Sequence, residues 1–292
     1  MIGRLCIVGV GLIGGSLARA LRAAGAVNDV VGCGRGEANL ERAVALGVID
    51  RYTHDIGEAV TGADMVFLAV PLGAMRAGFE AMRGRLADGA VVTDGGSAKA
   101  SVVADARAAF GRLPPTFVPG HPIAGTEKNG VEASFATLYR NRRVILTPLR
   151  ETDPAAVARV EAMWRACGAE VSYMTVEHHD EVLAATSHLP HMLAYALVDA
   201  LARMKEHDEI FRYVAGGFRD FTRIASSNPV MWRDICIANR LALAEMLDRF
   251  SSELGELSEA IRRGDGEALL EVFARAKAAR DRLIDGFAPS PE

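Results

Sequence analysis

The run Ile7-Val8-Gly9-Val10-Gly11-Leu12-Ile13-Gly14-Gly15-Ser16-Leu17-Ala18 decides the reading of the chain. A short apolar segment stops at a Gly-x-Gly-x-x-Gly and continues as an apolar helix, so the stretch reads as strand, tight turn, helix. Gly9 allows a sharp exit from the strand, Gly11 lets a pyrophosphate come against bare backbone, and Gly14 lets the helix sit close on the sheet. The helix start adds free N–H groups and a positive dipole end, both suited to phosphate. Three such glycines also occur in ordinary turns. Here they fall at a strand-to-helix junction that opens a βαβ pattern, and that context points to a dinucleotide site.

Outward from this turn, strands and helices alternate. Residues 4–10 form the first strand and 13–24 its helix, with Gly25 as a C-terminal stop. Strands follow at 29–33, 49–52, 64–70, 90–93 and 116–119, and helices at 37–46, 72–86 and 98–110. After Asp64 the strand at 64–70 is continuously apolar, as in a strand buried on both faces of a parallel sheet, and Pro71 ends it. The pattern predicts an α/β, Rossmann-type doubly wound sheet. Residues 120–141 are polar and aperiodic; a strand at 143–147, a helix at 154–167 and a last strand at 170–173 follow. From 176 to 287 apolar residues recur only at helical spacing, which predicts an all-α C-terminal domain and a boundary between 1–174 and 175–292. The runs 191–204 and 237–247 are apolar on more than one face, as helices at a homodimer interface are. The tail 288–292 is expected to fray.

Composition narrows the class. The 292 residues, half of them hydrophobic, suit about two domains with a large core. A net charge of −4 with no long run of either sign argues against nucleic acid or an anionic membrane as partner. No apolar stretch approaches the roughly 20 residues of a membrane span, and the N-terminus runs directly into a strand, so a cytoplasmic protein is expected. Cys6, Cys33, Cys167 and Cys236 lie far apart with no Cys-x-x-Cys, as buried thiols in a reducing compartment do. His188-x-x-His191, with His178-His179 upstream, raises a metal reading. Pro190 intervenes, however, and no cysteine or fixed carboxylate completes a set, so no metal is expected.

Two places bear on chemistry. The end of the second strand meets the adenine ribose of a bound dinucleotide, and there the chain has Gly34-Arg35-Gly36-Glu37. Arg35 at that point suits a 2′-phosphate and leans toward NADP; Glu37, or backbone contacts alone, leaves NAD open. The second place is Gly120-His121-Pro122, after a strand at the sheet's carboxyl end, where ligands of such folds bind. An imidazole fixed between glycine and proline suits proton abstraction from a hydroxyl that becomes a carbonyl as hydride leaves; the alternative is a histidine hydrogen-bonded within its loop.

The segments Gly9–Ser16, Asp94-Gly-Gly-Ser-Ala-Lys99, Gly120-His-Pro-Ile-Ala-Gly-Thr-Glu-Lys128, Thr186-Ser-His-Leu-Pro-His191, and Gly216 to Ala225 through Trp232-Arg-Asp resemble, in this order, the prephenate and arogenate (cyclohexadienyl) dehydrogenases of tyrosine biosynthesis. The resemblance covers nearly the whole chain. It implies a Rossmann domain, a helical dimerisation domain and a cleft between them in which prephenate or arogenate is oxidatively decarboxylated with hydride transfer to NAD or NADP. It makes His121 the catalytic group on the ring hydroxyl, with Ser97 in support. Thr126, Glu127, Ser187, His188, His191, Arg223 and Trp232 would line the substrate pocket, Arg223 holding a carboxylate. The cofactor would lie on Gly9, Gly11, Leu12, Ile13, Gly14, Arg35, Val70 and Pro71. Read as residues alone, Ser97 also suits a helix N-cap, Arg223 a surface ion pair and Trp232 a core position. Two other classes share parts of the pattern: a 3-hydroxy acid or 6-phosphogluconate type dehydrogenase, which normally needs a lysine on a domain-linking helix, and a non-catalytic dinucleotide sensor.

Overall fold

A computed structural model describes residues 1–126 and 128–287, with side chains through residue 282. β1 (Ile2–Val8), α1 (Leu12–Ala23), β2 (Val27–Cys33), α2 (Glu37–Ala45), β3 (Arg51–Thr53), α3 (Ile56–Val60), β4 (Met65–Leu68), α4 (Met75–Met82), β5 (Val91–Asp94), α5 (Lys99–Phe110) and β6 (Phe117–Val118) build the first layer. Its six strands pair in the order β3-β2-β1-β4-β5-β6, every pair parallel. The chain therefore starts in the middle and builds to each edge in turn, and this doubly wound order places a ligand crevice at the carboxyl ends of the central strands.

Alternation along the strands divides the core. Leu5, Ile7 and Phe67 face one side with Leu17, Leu21 and Trp164, whereas Cys6, Val8, Val66 and Leu68 face the other with Met75, Phe79 and Val102. Gly25 and Gly47 follow α1 and α2 at φ 61° and 65°, a backbone that glycine adopts without the strain a Cβ would bring. All four cysteines are free, and Cys6, Cys33 and Cys167 are buried. Burial pushes the Cys33 thiol up to about 11 and Cys167 to about 12.

Beyond β6 the structure departs from the expected loose segment. Gly120–Pro122 is a strand, β7, pairing antiparallel with β8 (Arg143–Leu146), which pairs parallel with β9 (Glu170–Tyr173) in a separate three-stranded sheet. Pro119 lacks the N–H that would extend β6, and its carbonyl accepts from Thr147 N, so the chain leaves the first sheet there. Two smaller differences lie upstream. α3 is too short to show a helical period, and the helix expected over 72–86 opens as a 3₁₀ turn, Leu72–Ala74, before α4.

α6 (Pro154–Ala166) precedes β9. After β9 the described residues form only helices: α7 (Val176–Leu183), a π-helical turn (Ala184–His188), α8 (Leu189–Ala202), α9 (His207–Arg212), α10 (Gly216–Thr222), a 3₁₀ turn (Arg223–Ser226), α11 (Pro229–Ala238), α12 (Arg240–Arg263) and α13 (Gly266–Phe287). The wide turn has a local cause. Pro190 has no N–H to offer the preceding turn, and Leu189 N reaches back to Ala184 O instead. The chain divides into two compact units, Met1–Leu243 and Ala244–Glu292. In the second, Leu254, Ile261, Leu270 and Phe273 are each more than half exposed. Among the described residues no helix is long and apolar enough to cross a membrane.

Candidate active site

The glycine turn is a shape made by backbone. Gly9 has φ 99°, and a Cβ there would meet Ala69 O at 2.3 Å. A Cβ on Gly14 would meet Gly9 O at 2.3 Å and Ile7 Cγ2 at 2.7 Å, so α1 lies directly on the turn. At Gly11 a Cβ would meet nothing within 4 Å, and α1 starts there with no side-chain cap. Open space above uncapped N–H groups fits a pyrophosphate, and the residues present fit a dinucleotide. Asn39 braces the turn, donating to Val10 O at 2.7 Å and accepting from Val131 N at 3.0 Å. The Tyr139 hydroxyl donates to Ile13 O at 2.6 Å. Leu12 is buried, Ile13 and Val70 are half-buried, and Pro71 is exposed.

At the end of β2, Arg35 is exposed and makes no ion pair among the described residues. Glu37 is engaged at both oxygens: Oε1 accepts from the Tyr52 hydroxyl and Oε2 faces His54 Nε2. His54 Nδ1 donates to Gly34 O at 2.7 Å, and this bond, then the Glu37 carboxylate, raises its pKa.

The catalytic candidates sit where the chain passes from β6 to β7. Asp94 Oδ1 accepts from Gly120 N at 3.1 Å, and the fully buried Lys99 donates to Gly120 O at 2.6 Å and to Asp94 Oδ2. The ends of β5 and α5 thus hold the residue before His121 by both its backbone groups. Burial lowers the Lys99 pKa, with Asp94 pulling against it. His121 is buried on β7, its Nδ1 2.9 Å from His179 Nε2. His179 Nδ1 is 2.8 Å from Asp180 Oδ1. Asp180 also accepts from Lys99 N at 2.7 Å and Ala100 N at 2.9 Å, so it caps α5 from a different part of the chain. Burial, then the charges of His179, Lys99 and His188, hold the His121 pKa well below the ordinary histidine value.

Ser97 is half-buried between β5 and α5; the helix begins at Lys99, and no side chain of its own N-cap residue, Ala98, closes it. The cap reading of Ser97 is therefore replaced by Asp180. His188 is fully buried; its Nδ1 accepts from Asn239 Nδ2 at 3.1 Å, Nε2 has no partner among the described residues, and burial lowers its pKa to about 4. His191 stacks on Trp232 with ring centroids 3.6 Å apart, and its Nδ1 donates to Ser187 O at 2.9 Å. Trp232 is buried and packs in the second core cluster, its Nε1 without a partner among the described residues. The structure brings His188, His191 and Trp232 together as ring neighbours, whereas His121 has His179 as its ring neighbour and feels His188 through its charge. Arg223 is exposed, without an ion pair among the described residues; burial lowers the His191 pKa, and the charge of Arg223 adds to that. Thr126 lies exposed on the loop after β7, its Oγ1 accepting from Lys128 N at 3.2 Å. Glu127 lies outside the described residues.

Sequence reasoning missed Lys99, Asp94, His179, Asp180 and Asn239 as parts of this site. Asp94 and Lys99 stood inside a quoted motif, so their signal was present. His179 reads from the sequence only as a metal-ligand candidate, and nothing local marks Asp180 or Asn239.

A family model described as "Prephenate dehydrogenase, nucleotide-binding domain" matches residues 17–173, and one described as "Prephenate dehydrogenase, dimerization domain" matches residues 175–275. The chain belongs to the prephenate dehydrogenase family. It is 42% identical over 279 residues to a cyclohexadienyl dehydrogenase of Zymomonas mobilis, covering 94% of each chain. It is 34% identical to a prephenate dehydrogenase of Bacillus subtilis, covering 96% of this chain and 76% of that one. Among solved structures it is similar to a prephenate dehydrogenase from A. aeolicus in complex with hydroxyphenyl propionate and NAD+, with a TM-score of 0.90, 39% identity and coverage of 97% and 99%. The sheet order, the glycine turn and the helical C-terminal half are thus those of a nicotinamide-dependent oxidoreductase of this family.

Proposed function

We propose that this chain converts prephenate, arogenate or both to the corresponding 4-hydroxyphenyl product, with His121 as the group on the ring hydroxyl. Dehydrogenase activity with a nicotinamide dinucleotide follows from membership of the family. The single observation that carries the residue assignment is a buried, neutral imidazole at the carboxyl end of the sheet, on a strand clamped by Asp94 and Lys99.

The nicotinamide supplies the hydride acceptor. His121 Nε2 accepts a hydrogen bond from the C4 hydroxyl and takes up positive charge as hydride leaves C4. The C1–carboxylate bond breaks, its electron pair completes the aromatic ring, and carbon dioxide departs; the proton is back on the phenol oxygen at the end. Ser97 supports the hydroxyl from the turn before α5. Arg223 holds a carboxylate as a bidentate guanidinium. His188, His191, Trp232, Ser187, Thr126 and Glu127 complete the pocket, and orientation of the ring supplies much of the rate.

NADP is the proposed preference. Arg35 stands at the strand end with its charge unused among the described residues, while both oxygens of Glu37, the residue that would hold a ribose diol, are taken by Tyr52 and His54. The division of labour is proposed to fall at 174/175, where the two family models meet, with the helical half making a cytoplasmic homodimer. The exposed apolar side chains of α12 and α13 support an interface there.

The test is absorbance at 340 nm with prephenate, arogenate and simple hydroxy acids, each with NAD and NADP. Turnover of a cyclohexadienyl acid alone is expected. Cofactor binding without turnover of either would overturn the reading. Sedimentation at micromolar concentration should show a dimer, and a stable monomer contradicts the interface.

A further inference from the structure

We propose that His179 and Asp180 are positioning residues that hold His121 in the Nδ1–H tautomer, so that its Nε2 lone pair faces the substrate. The proposal rests on His121 being the group on the hydroxyl, and extends that reading to two residues with no substrate contact.

The argument runs outward from the carboxylate. Asp180 accepts at both oxygens, Oδ1 from Lys99 N and Oδ2 from Ala100 N, and backbone N–H groups can only donate. Two such bonds at a helix start favour the ionised form. Burial pushes the Asp180 carboxyl up, but His179 and the two amides hold it below its ordinary value. Asp180 is thus a fixed acceptor, and His179 Nδ1, 2.8 Å from Oδ1, must carry a proton.

His179 is fully buried, and burial keeps it neutral despite Asp180. A neutral imidazole protonated at Nδ1 has a lone pair at Nε2. That lone pair is 2.9 Å from His121 Nδ1, which must therefore donate. His121 is itself held neutral, so its only ring proton is on Nδ1 and Nε2 is unprotonated. The charged and titratable groups facing the pair are Lys99, Asp94, Asp180 and His188; the buried ammonium of Lys99 disfavours the alternative in which His179 is an imidazolium. Asn239 anchors the far side, donating to Asp180 O at 2.8 Å and to His188 Nδ1. A third group that sets the tautomer of a catalytic histidine is the logic of the serine-protease triad, where the wrong tautomer costs about 10⁴-fold in kcat.

Two substitutions of His179 separate positioning from simple scaffolding. His179→Gln places an amide oxygen near the former Nε2, toward His121; His179→Asn keeps an amide near the former Nδ1, toward Asp180, and leaves His121 without an acceptor. If the histidine only ties α7 to α5, Asn is the milder change. If it positions His121, Gln is. We expect His179→Asn to lose about 10²-fold or more in kcat with the KM for cofactor unchanged, and His179→Gln to stay within about tenfold of wild type. Long-range ¹H–¹⁵N correlation spectra of the full-length, ¹⁵N-histidine-labelled protein without substrate should show His121 protonated at Nδ1 in wild type and at Nε2 in His179→Asn. A wild-type spectrum with His121 protonated at Nε2, or turnover higher in the Asn than in the Gln variant, overturns the proposal. The spectrum involves no turnover, so it stands even if His121→Asn shows that the imidazole is not the catalytic group, and it decides the tautomer even if a variant fails to fold.

Discussion

The glycine turn and the histidine chain are built by opposite means. The turn is contiguous, made of backbone, and holds no titrating group; what it needs is absence of side chains at Gly9 and Gly14 and open space at Gly11. The histidine chain joins β7 to α7 across 58 positions of sequence and is made of buried side chains whose protonation states fix one another. A shape can be specified by neighbours along the chain. An arrangement of charges inside a low-dielectric core needs partners from every element around it. Damage should therefore differ in kind: the turn fails by clash, the histidine chain by chemistry.

The largest effect is expected at His121. His121→Asn should lose about 10²–10⁴-fold in kcat while cofactor affinity, measured by fluorescence titration, stays near wild type. Retention of more than a tenth of wild-type turnover would place the chemistry elsewhere.

The next contrast uses pH. Four histidines of the site, His121, His179, His188 and His191, have pKa values lowered in the fold, first by burial. Below about pH 6.5 the unfolded chain binds protons that these sites refuse, so stability falls as pH drops; for His188 the fall continues to about 4. Each histidine kept neutral contributes a slope of about 1.4 kcal/mol per pH unit in that window. His54, raised and exposed, acts weakly in the opposite sense, its contribution being lost as pH rises through its folded pKa. Urea unfolding at pH 7 and pH 5 measures the sum, and equal midpoints would contradict it.

Within the turn, Gly14→Ala and Gly11→Ala separate packing from ligand approach. A Cβ at Gly14 meets a backbone carbonyl at 2.3 Å, so the turn itself must shift. Overpacking costs about 1–3 kcal/mol, which outweighs the roughly 1 kcal/mol that alanine gains in a helix. Gly14→Ala should lower Tm and raise KM for both cofactors. At Gly11 the Cβ meets only open space, so stability should stay within about 0.5 kcal/mol of wild type while KM for both cofactors rises. Equal Tm losses would remove the distinction.

The narrowest effect, confined to one of the two cofactors, is expected at Arg35. A charge-assisted bond to a 2′-phosphate is worth about 1.5–3 kcal/mol, so Arg35→Ala should raise KM for NADP at least about tenfold and leave that for NAD nearly unchanged. Equal changes for the two cofactors would make Arg35 a loop charge only.

Legibility followed the same division. The strand-turn-helix at residues 2–23, the apolar run of β4 ended before Pro71, and the glycine stops at Gly25 and Gly47 were readable because each depends on residues within a few positions. β7 was not, because Gly120-His121-Pro122 has no apolar alternation and becomes a strand only by pairing with β8. The start of α5 shows the limit most clearly. Ser97 stands where local rules look for a cap, yet the carboxylate that closes the helix is Asp180, from α7. His121 itself stood out from its glycine and proline neighbours, but His179 beside it did not.

The sequence by itself determined the order of the strands β1 to β6, the place of the glycine turn and the type of side chain at His121, since periodicity, backbone freedom and turn chemistry act over short separations. Only the tertiary structure decided what His121 is: buried, neutral, and bonded at Nδ1 to a second histidine whose own proton is directed by a carboxylate at a helix start. Protonation and tautomer depend on burial and on partners brought together by folding, and no spacing along the chain encodes them.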